Sequence, residues 1–170
     1  PGAIYWTSSI YANSPDRAYR IHFEYGHFHY DYKSFSYSVR AVRGEPQANH
    51  FVDNGDGTIT DTSTGLMWQK ETAPGTYTWE QALSYCEDLP LAGYSDWRLP
   101  TLKELDSIVD FSQCNPAIDA TWFPNEGASG FWSYWSSTTN SNYTYRAWYM
   151  NFTDGGPNDG KSYNSYVRAV

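Results

Sequence analysis

The sequence predicts an α+β domain, small antiparallel twisted sheets with two helices and long ordered loops, preceded by a partial copy of its own last third. Three observations carry that expectation. Short alternating segments between glycine-rich turns begin at residue 51. Two segments with paired capping residues follow, at 78–93 and 101–112. From 134 onward the strand alternation returns, and its landmarks also occur near the N-terminus.

An internal repeat sets the domain count. YWTSS at 5–9 returns as YWSST at 134–138. Arg17-Ala18-Tyr19 returns as Arg146-Ala147-Trp148, Phe23 as Phe152, and Gly26 as Gly155. VRAV stands at 39–42 and again at 167–170. The offset is 129 residues as far as Gly155 and 128 at VRAV, so one residue is gained or lost between. Residues 51–170 therefore read as one whole unit, 1–44 as the C-terminal third of a preceding unit, and 45–50 as a linker. The expected setting is a tandem array.

Within 51–69, Asn54-Gly55-Asp56-Gly57 and Ser63-Thr64-Gly65 supply two hairpin turns, and TITDT alternates between them. Three short strands follow from this pattern. DNGDG resembles a calcium loop, but counting back from Gly57 puts Val52 where the first oxygen ligand belongs, so a hairpin is favoured. Thr78 with Gln81, and Thr101 with Glu104, have the capping-box spacing that starts a helix. Trp79, Ala82, Leu83 and Cys86 give the first helix an apolar face. Leu102, Leu105, Ile108 and Val109 do so for the second. Residues 113–133 break every run with Pro, Gly and Asn, yet hold Trp122, Phe123, Phe131 and Trp132, which reads as an ordered lid over the sheet. The closing YVRAV is expected to pair with the opening hairpin of the unit.

Net charge is −8, unevenly spread. Residues 1–44 carry five basic and three acidic side chains; the rest carries six basic and sixteen acidic. That acidity argues against nucleic acid as a partner, since phosphates demand a basic face, and it also fits a soluble, mutually repelling exterior. No apolar run approaches the roughly 18 residues of a membrane span, so no membrane insertion is expected. The two cysteines, Cys86 and Cys114, allow either a disulfide stapling the helices, which implies export, or two buried thiols.

Catalytic groupings are missing from the pattern. No GxSxG elbow surrounds Ser136-Ser137, and His50 is the sole histidine near the complete unit. His27 and His29 share a strand face, but their counterparts near Gly156 and Asn158 do not ligate alike, so no metal site is expected. Glu87 and Asp88 read as solvated helix charge. No enzyme activity and no cofactor are expected.

A binding face is the better expectation. Aromatic residues make up 19% of the chain, and Tyr, Asn and Ser crowd the last third, the mixture that supplies rigid contact area and adaptable hydrogen bonds. Asn140, Asn142, Tyr143, Tyr145, Tyr149, Asn151, Asp154, Asn158, Asp159, Lys161, Tyr163 and Asn164 differ between the two copies. Tyr134, Trp135, Ala147, Phe152 and VRAV hold. The shared residues read as frame, the divergent ones as a ligand-binding surface.

FVDNGDGTITDTSTGLMWQ, AGYSDWRLPTLKELDSIVD, YWSST and YVRAV, in this order, resemble the Lcl C-terminal domain family, named for a collagen-like adhesin. The resemblance covers 51–170, and residues 1–44 match the family's final third. It implies a C-type lectin-like fold and an extracellular or cell-surface protein. It also implies a recognition or adhesion module for a glycan or protein ligand, sulfated glycans in the named adhesin. Relatives often carry a cysteine where this chain has Ala169 and Ala41, which leaves Cys86–Cys114 as the disulfide within the chain. The alternative function is a structural repeat of an extracellular filament or surface layer, with neighbouring copies of the chain as partners.

Residues 1–44 carry apolar side chains that need cover: Ile4, Tyr5, Trp6, Phe23 and Val39 among them. Another chain, an added layer on the complete unit, or a neighbouring repeat would each provide it.

Overall fold

The computed structural model describes residues 3–24, 26–44, 50–124 and 133–170. Among these residues nine strands form three antiparallel three-stranded sheets, with two helices between the second and third. The first sheet is β1 (Ile4–Ile10), β2 (Arg17–His22) and β3 (His27–Tyr32). The second is β4 (Phe51–Asp53), β5 (Thr58–Asp61) and β6 (Leu66–Gln69). Helices α1 (Trp79–Glu87) and α2 (Leu102–Ser107) follow, then β7 (Ser133–Thr139), β8 (Ala147–Asn151) and β9 (Gly156–Gly160). The expected α+β class is what the chain adopts. Of the expected linker, residues 45–49 lie outside the described residues.

The turns form where their residue types allow. Gly55 and Gly57 take positive φ, and Asn54 N–H donates to Thr58 C=O at 3.1 Å to close the β4–β5 turn. At the β5–β6 turn, Asp61 Oδ1 accepts from Ser63 N–H and Oγ–H, and Oδ2 accepts from Thr64 Oγ–H. Both capping boxes are present. Thr78 Oγ accepts from Gln81 N–H and Thr101 Oγ from Glu104 N–H, with the reciprocal bonds made. Glu104 also receives a forked ion pair from Arg98, at 2.6 and 2.8 Å, which holds its carboxyl down at about 2. The second helix is shorter than its apolar stripe suggests. After Ser107 the backbone tightens: Ile108 N–H bonds back to Leu105 and Val109 N–H to Asp106, three residues each. Ile108 and Val109 are buried all the same.

Two apolar clusters result. One joins Ile59, Trp68, Leu105, Ile108, Ile118, Phe123, Tyr134, Met150 and Phe152. The other joins Ala82, Cys86, Trp97, Leu99, Trp135, Ala147, Val167 and Ala169. Tyr134 and Trp135 are neighbours on β7, and one enters each cluster, so that strand lies between the two. Phe123, expected in a lid, is instead fully buried core, tied in as Ala117 N–H donates to Phe152 C=O. Phe131 and Trp132 lie outside the described residues.

The C-terminal VRAV is not a regular strand. It is a buried extended segment that exchanges backbone bonds with three places: Gln69 at the end of β6, Ala73, and Arg98. The expected pairing with the opening hairpin is thus met only at Gln69. The Arg168 guanidinium is buried at 1% exposure. It donates to the carbonyls of Gln69 (2.8 Å), Lys70 and Pro124 (3.5 Å) and to Thr72 Oγ (3.1 Å), and lies over the rings of Phe123 and Tyr134.

The disulfide between Cys86 and Cys114 is not formed; both are free thiols. Cys86 is sealed in the second cluster, where burial pushes its pKa up to about 12. Cys114 lies beyond α2 and turns the other way, its Sγ 2.8 Å from Asn13 Oδ1 of the β1–β2 loop.

The first and third sheets share one register. Tyr5 opposes Ile21 as Tyr134 opposes Met150, and Ala18 opposes Asp31 as Ala147 opposes Gly160. Each carries the same irregularity, between Trp6 and Ile10 and between Trp135 and Thr139. Each receives a parallel bridge, Tyr5 to Ser38 and Tyr134 to Tyr166. The first sheet packs on the unit through Tyr19, whose hydroxyl donates to Asp154 C=O and whose ring meets Phe111 edge-on at 4.7 Å. That contact covers part of the sheet only, and Phe23, Val39 and Val42 stay exposed.

Arg168→Ala is expected to cost about 3–5 kcal/mol in urea unfolding, because the buried Gln69 carbonyl and three part-buried acceptors lose this donor and its packing. Arg40→Ala, at the exposed equivalent, is expected to stay within about 1 kcal/mol.

Candidate functional site

The loop between β7 and β8 is built around Asn140. Its Oδ1 accepts from the backbone N–H of Asn142 (2.9 Å) and Tyr143 (3.2 Å), and its Nδ2 donates to Asp159 Oδ2 on β9 (2.9 Å). Asn140 is therefore buried and holds the loop instead of facing a ligand. Backbone bonds from Tyr143 to Asn140, from Arg146 to Tyr143, and from Asn140 to Arg146 close the loop. Tyr143 and Tyr145 stand exposed on it, rings edge to face at 5.9 Å, with the Arg146 guanidinium 5.2 and 5.6 Å from their centroids. Arg146 also reaches Asp159 at 3.4 Å.

Beyond β9 the chain passes α1. Lys161 Nζ sits 3.5 Å from the centre of the Trp79 ring, and the indole N–H of Trp79 donates to Ser136 C=O. Two clefts open here. One, of about 480 Å³, is lined by Tyr145, Arg146, Asp159, Gly160, Lys161, Ser162 and Tyr163. The other, of about 470 Å³, is lined by Thr76, Ser133, Tyr149, Tyr163, Asn164, Ser165 and Tyr166. Exposed Tyr163 forms a wall of both. Tyr149 packs edge-on against Trp135 at 5.7 Å, and burial raises its phenol pKa.

Tyr145, Tyr149, Asp159, Lys161, Tyr163 and Asn164 of the expected set therefore line the clefts, with Asn142 and Tyr143 on the adjoining loop. Asn158 is exposed on β9 opposite Tyr149. Asn151 and Asp154 lie apart, in the β8–β9 turn. Asn151 Oδ1 accepts from Thr153 N–H and Asp154 Oδ1 from Gly156 N–H, and the Asp154 carbonyl is taken by Tyr19. Arg146 and Trp79 belong to the site but not to the expected set. Arg146 is shared with Arg17 of the first copy and so reads as frame. Arg17 itself stacks over Tyr30 and Tyr32, at 5.7 and 4.4 Å.

The chemistry on offer is ring faces, hydroxyls and amides, with cations already stacked and the Asp159 carboxylate already bonded. No group of three His, Cys, Asp or Glu side chains is placed to hold a metal ion among the described residues.

A third cavity, of about 410 Å³, lies where the first sheet meets α2 and β9, lined by Phe28, Leu102, Asp106, Met150 and Pro157 among others. Asp106 Oδ1 is buried there without a hydrogen-bond partner among the described residues. Burial pushes its carboxyl pKa up to about 6.

The model of the Lcl C-terminal domain family matches residues 57–170. No match was found among curated proteins or among solved structures.

Asp106 has a folded pKa above its unfolded value. Its cost is absent where both states are protonated, below about pH 4, and complete above about pH 6. Asp106→Asn is expected to add about 1–2 kcal/mol at pH 7.5 and nothing measurable at pH 4, read from urea unfolding at both values.

Proposed function

This chain belongs to the Lcl C-terminal domain family, and we propose that it is a non-catalytic recognition module, C-type lectin-like in fold, that binds a glycan. The family is associated with secreted and surface proteins, and the proposed location is extracellular or at the cell surface. No helix among the described residues is long and apolar enough to cross a membrane.

The observation that carries the reading is the pair of clefts sharing Tyr163 beside a loop that hydrogen bonds fix and tyrosines cap. Preorganised aromatic faces suit a flat, hydroxyl-rich ligand, because little ordering entropy is lost on binding. Sugar rings offer C–H faces to stack on tyrosine and hydroxyls to meet Asn164 and Ser162. The cations of the site, Arg146 and Lys161, are already committed to rings and to Asp159. A neutral glycan fits this better than a sulfated one, which needs free guanidinium or ammonium groups. A protein ligand would meet the same exposed tyrosines as anchors. The acidic balance of the chain supports a partner other than nucleic acid.

A glycan array, run with and without calcium and followed by calorimetry on the hits, tests the proposal. Replacing Tyr143, Tyr145 and Tyr163 together by Ala is expected to weaken binding at least about tenfold with the melting temperature held, since all three are exposed. Undiminished binding by the triple variant would remove this face from the account.

A further inference from the structure

We propose that the uncovered side of the first sheet, with the extended segment Val39–Val42, is a docking surface for a module built like residues 50–124. That module would be carried in the same polypeptide ahead of β1. The order is that of the complete unit, where residues 50–124 precede the sheet they cover.

The first and third sheets share one register. Matching strand pairs, the matching irregularity and the matching parallel bridge make the two sheets one construction. Their turns agree as well. Gly26 N–H bonds to His22 C=O and Gly155 N–H to Asn151 C=O, each at 2.8 Å, and both glycines have positive φ. Sheets of the same build have the same faces to fill.

In the first sheet Tyr11, Ala18 and Tyr19 are buried, but positions whose counterparts in the complete unit are filled stand open. Val167 and Val170 are 0% and 9% exposed, whereas Val39 and Val42 are 75% and 93% exposed. Phe152 is 1% exposed and Phe23, its counterpart, 57%. Trp135 gives its indole N–H to Tyr77 C=O; Trp6 instead rests on the ring of Tyr37, at 4.8 Å. Arg168 enters a cage of carbonyls, and Arg40 lies over the ring of Tyr5 at 5.4 Å. The complete unit does not supply the missing cover. It meets the first sheet through Tyr19, Phe28 and Asn13, leaving Val39, Val42 and Phe23 exposed.

The occupant's chemistry can be read from the cover that Arg168 already has. It offers backbone carbonyls equivalent to those of Gln69 and Lys70, a strand end that pairs with the VRAV segment, and an aromatic ring in the place of Phe123. Charge agrees. Residues 50–124 hold twelve acidic and three basic side chains, and the sheet they cover, 133–170, holds two acidic and three basic. Residues 1–44, with five basic and three acidic, have the same sign as that sheet. An acidic module of this build therefore complements both copies.

The test fuses a copy of residues 45–132 directly to Ile4 and follows the alkylation of Val39→Cys by peptide mapping, with Cys86 and Cys114 as internal references. In the chain as it stands the new thiol is expected to react freely, and in the extended chain at least about tenfold more slowly. Arg40→Ala in the extended chain is expected to restore fast labelling. An unchanged rate in the extended chain overturns the proposal, whether the added segment folds by itself or does not fold. Sedimentation of the unextended chain is expected to show a monomer. Concentration-dependent association that slows Val39→Cys labelling would give the face to a second copy and overturn it as well.

Discussion

A buried guanidinium must be given acceptors by the chain around it, because water is no longer there to supply them. Arg168 meets that demand with carbonyls from the end of β6 and the residues after it, and with Pro124. Segments far apart in sequence are thereby fixed about one group. Burial lowers the pKa of this group from its ordinary value, yet an arginine remains charged, so the donors persist and the cage must persist with them. The flanking valines fill the two apolar clusters, Val170 in one and Val167 in the other. The last four residues thus join the hairpin sheet, the helices and β7, and carry the sheet on which the clefts open.

With that frame anchored, the outward edge is free to differ. The β7–β8 loop is fixed by one buried amide, Asn140, and by backbone bonds that do not depend on what its tyrosines do. Tyr143, Tyr145 and Tyr163 contribute surface and little cohesion. Such a division lets the same fold carry different surface residues at small cost in stability. The first sheet illustrates it: where Arg146 stacks over Tyr143 and Tyr145 of its own loop, Arg17 stacks over Tyr30 and Tyr32 of β3.

Much of this was legible because local chemistry decides it. The capping boxes at Thr78 and Thr101, the Asn54–Gly57 turn and the alternation along β5 are written in adjacent residues, and tertiary packing does not overrule them. The likeness of the first and third sheets was legible because residues 5–42 and 134–170 carry the same anchors in the same order. What stayed hidden depends on direction in space. Cys86 and Cys114 each follow helical residues, but one faces a core and the other Asn13, and spacing does not encode that. Asn140 diverges between copies, from Tyr11, yet both side chains are buried, so divergence alone does not mark an exposed residue. Arg146 matches Arg17 of the first copy, so divergence does not mark it, although its place under the tyrosines makes it part of the candidate site. The VRAV segment has strand composition but lies among irregular partners, so it forms no regular strand.

Native-state hydrogen exchange tests the account at its centre. The amide of Ala73, bonded to Val167 C=O, and those of Ala169 and Val170, bonded to Gln69 and Arg98, are predicted to exchange only through global unfolding. The amides of Ala41 and Val42, in the same four-residue sequence, are predicted to exchange within a few orders of magnitude of the free-peptide rate. Equal protection of the two segments would contradict the claim that this frame is closed once and open once in the chain.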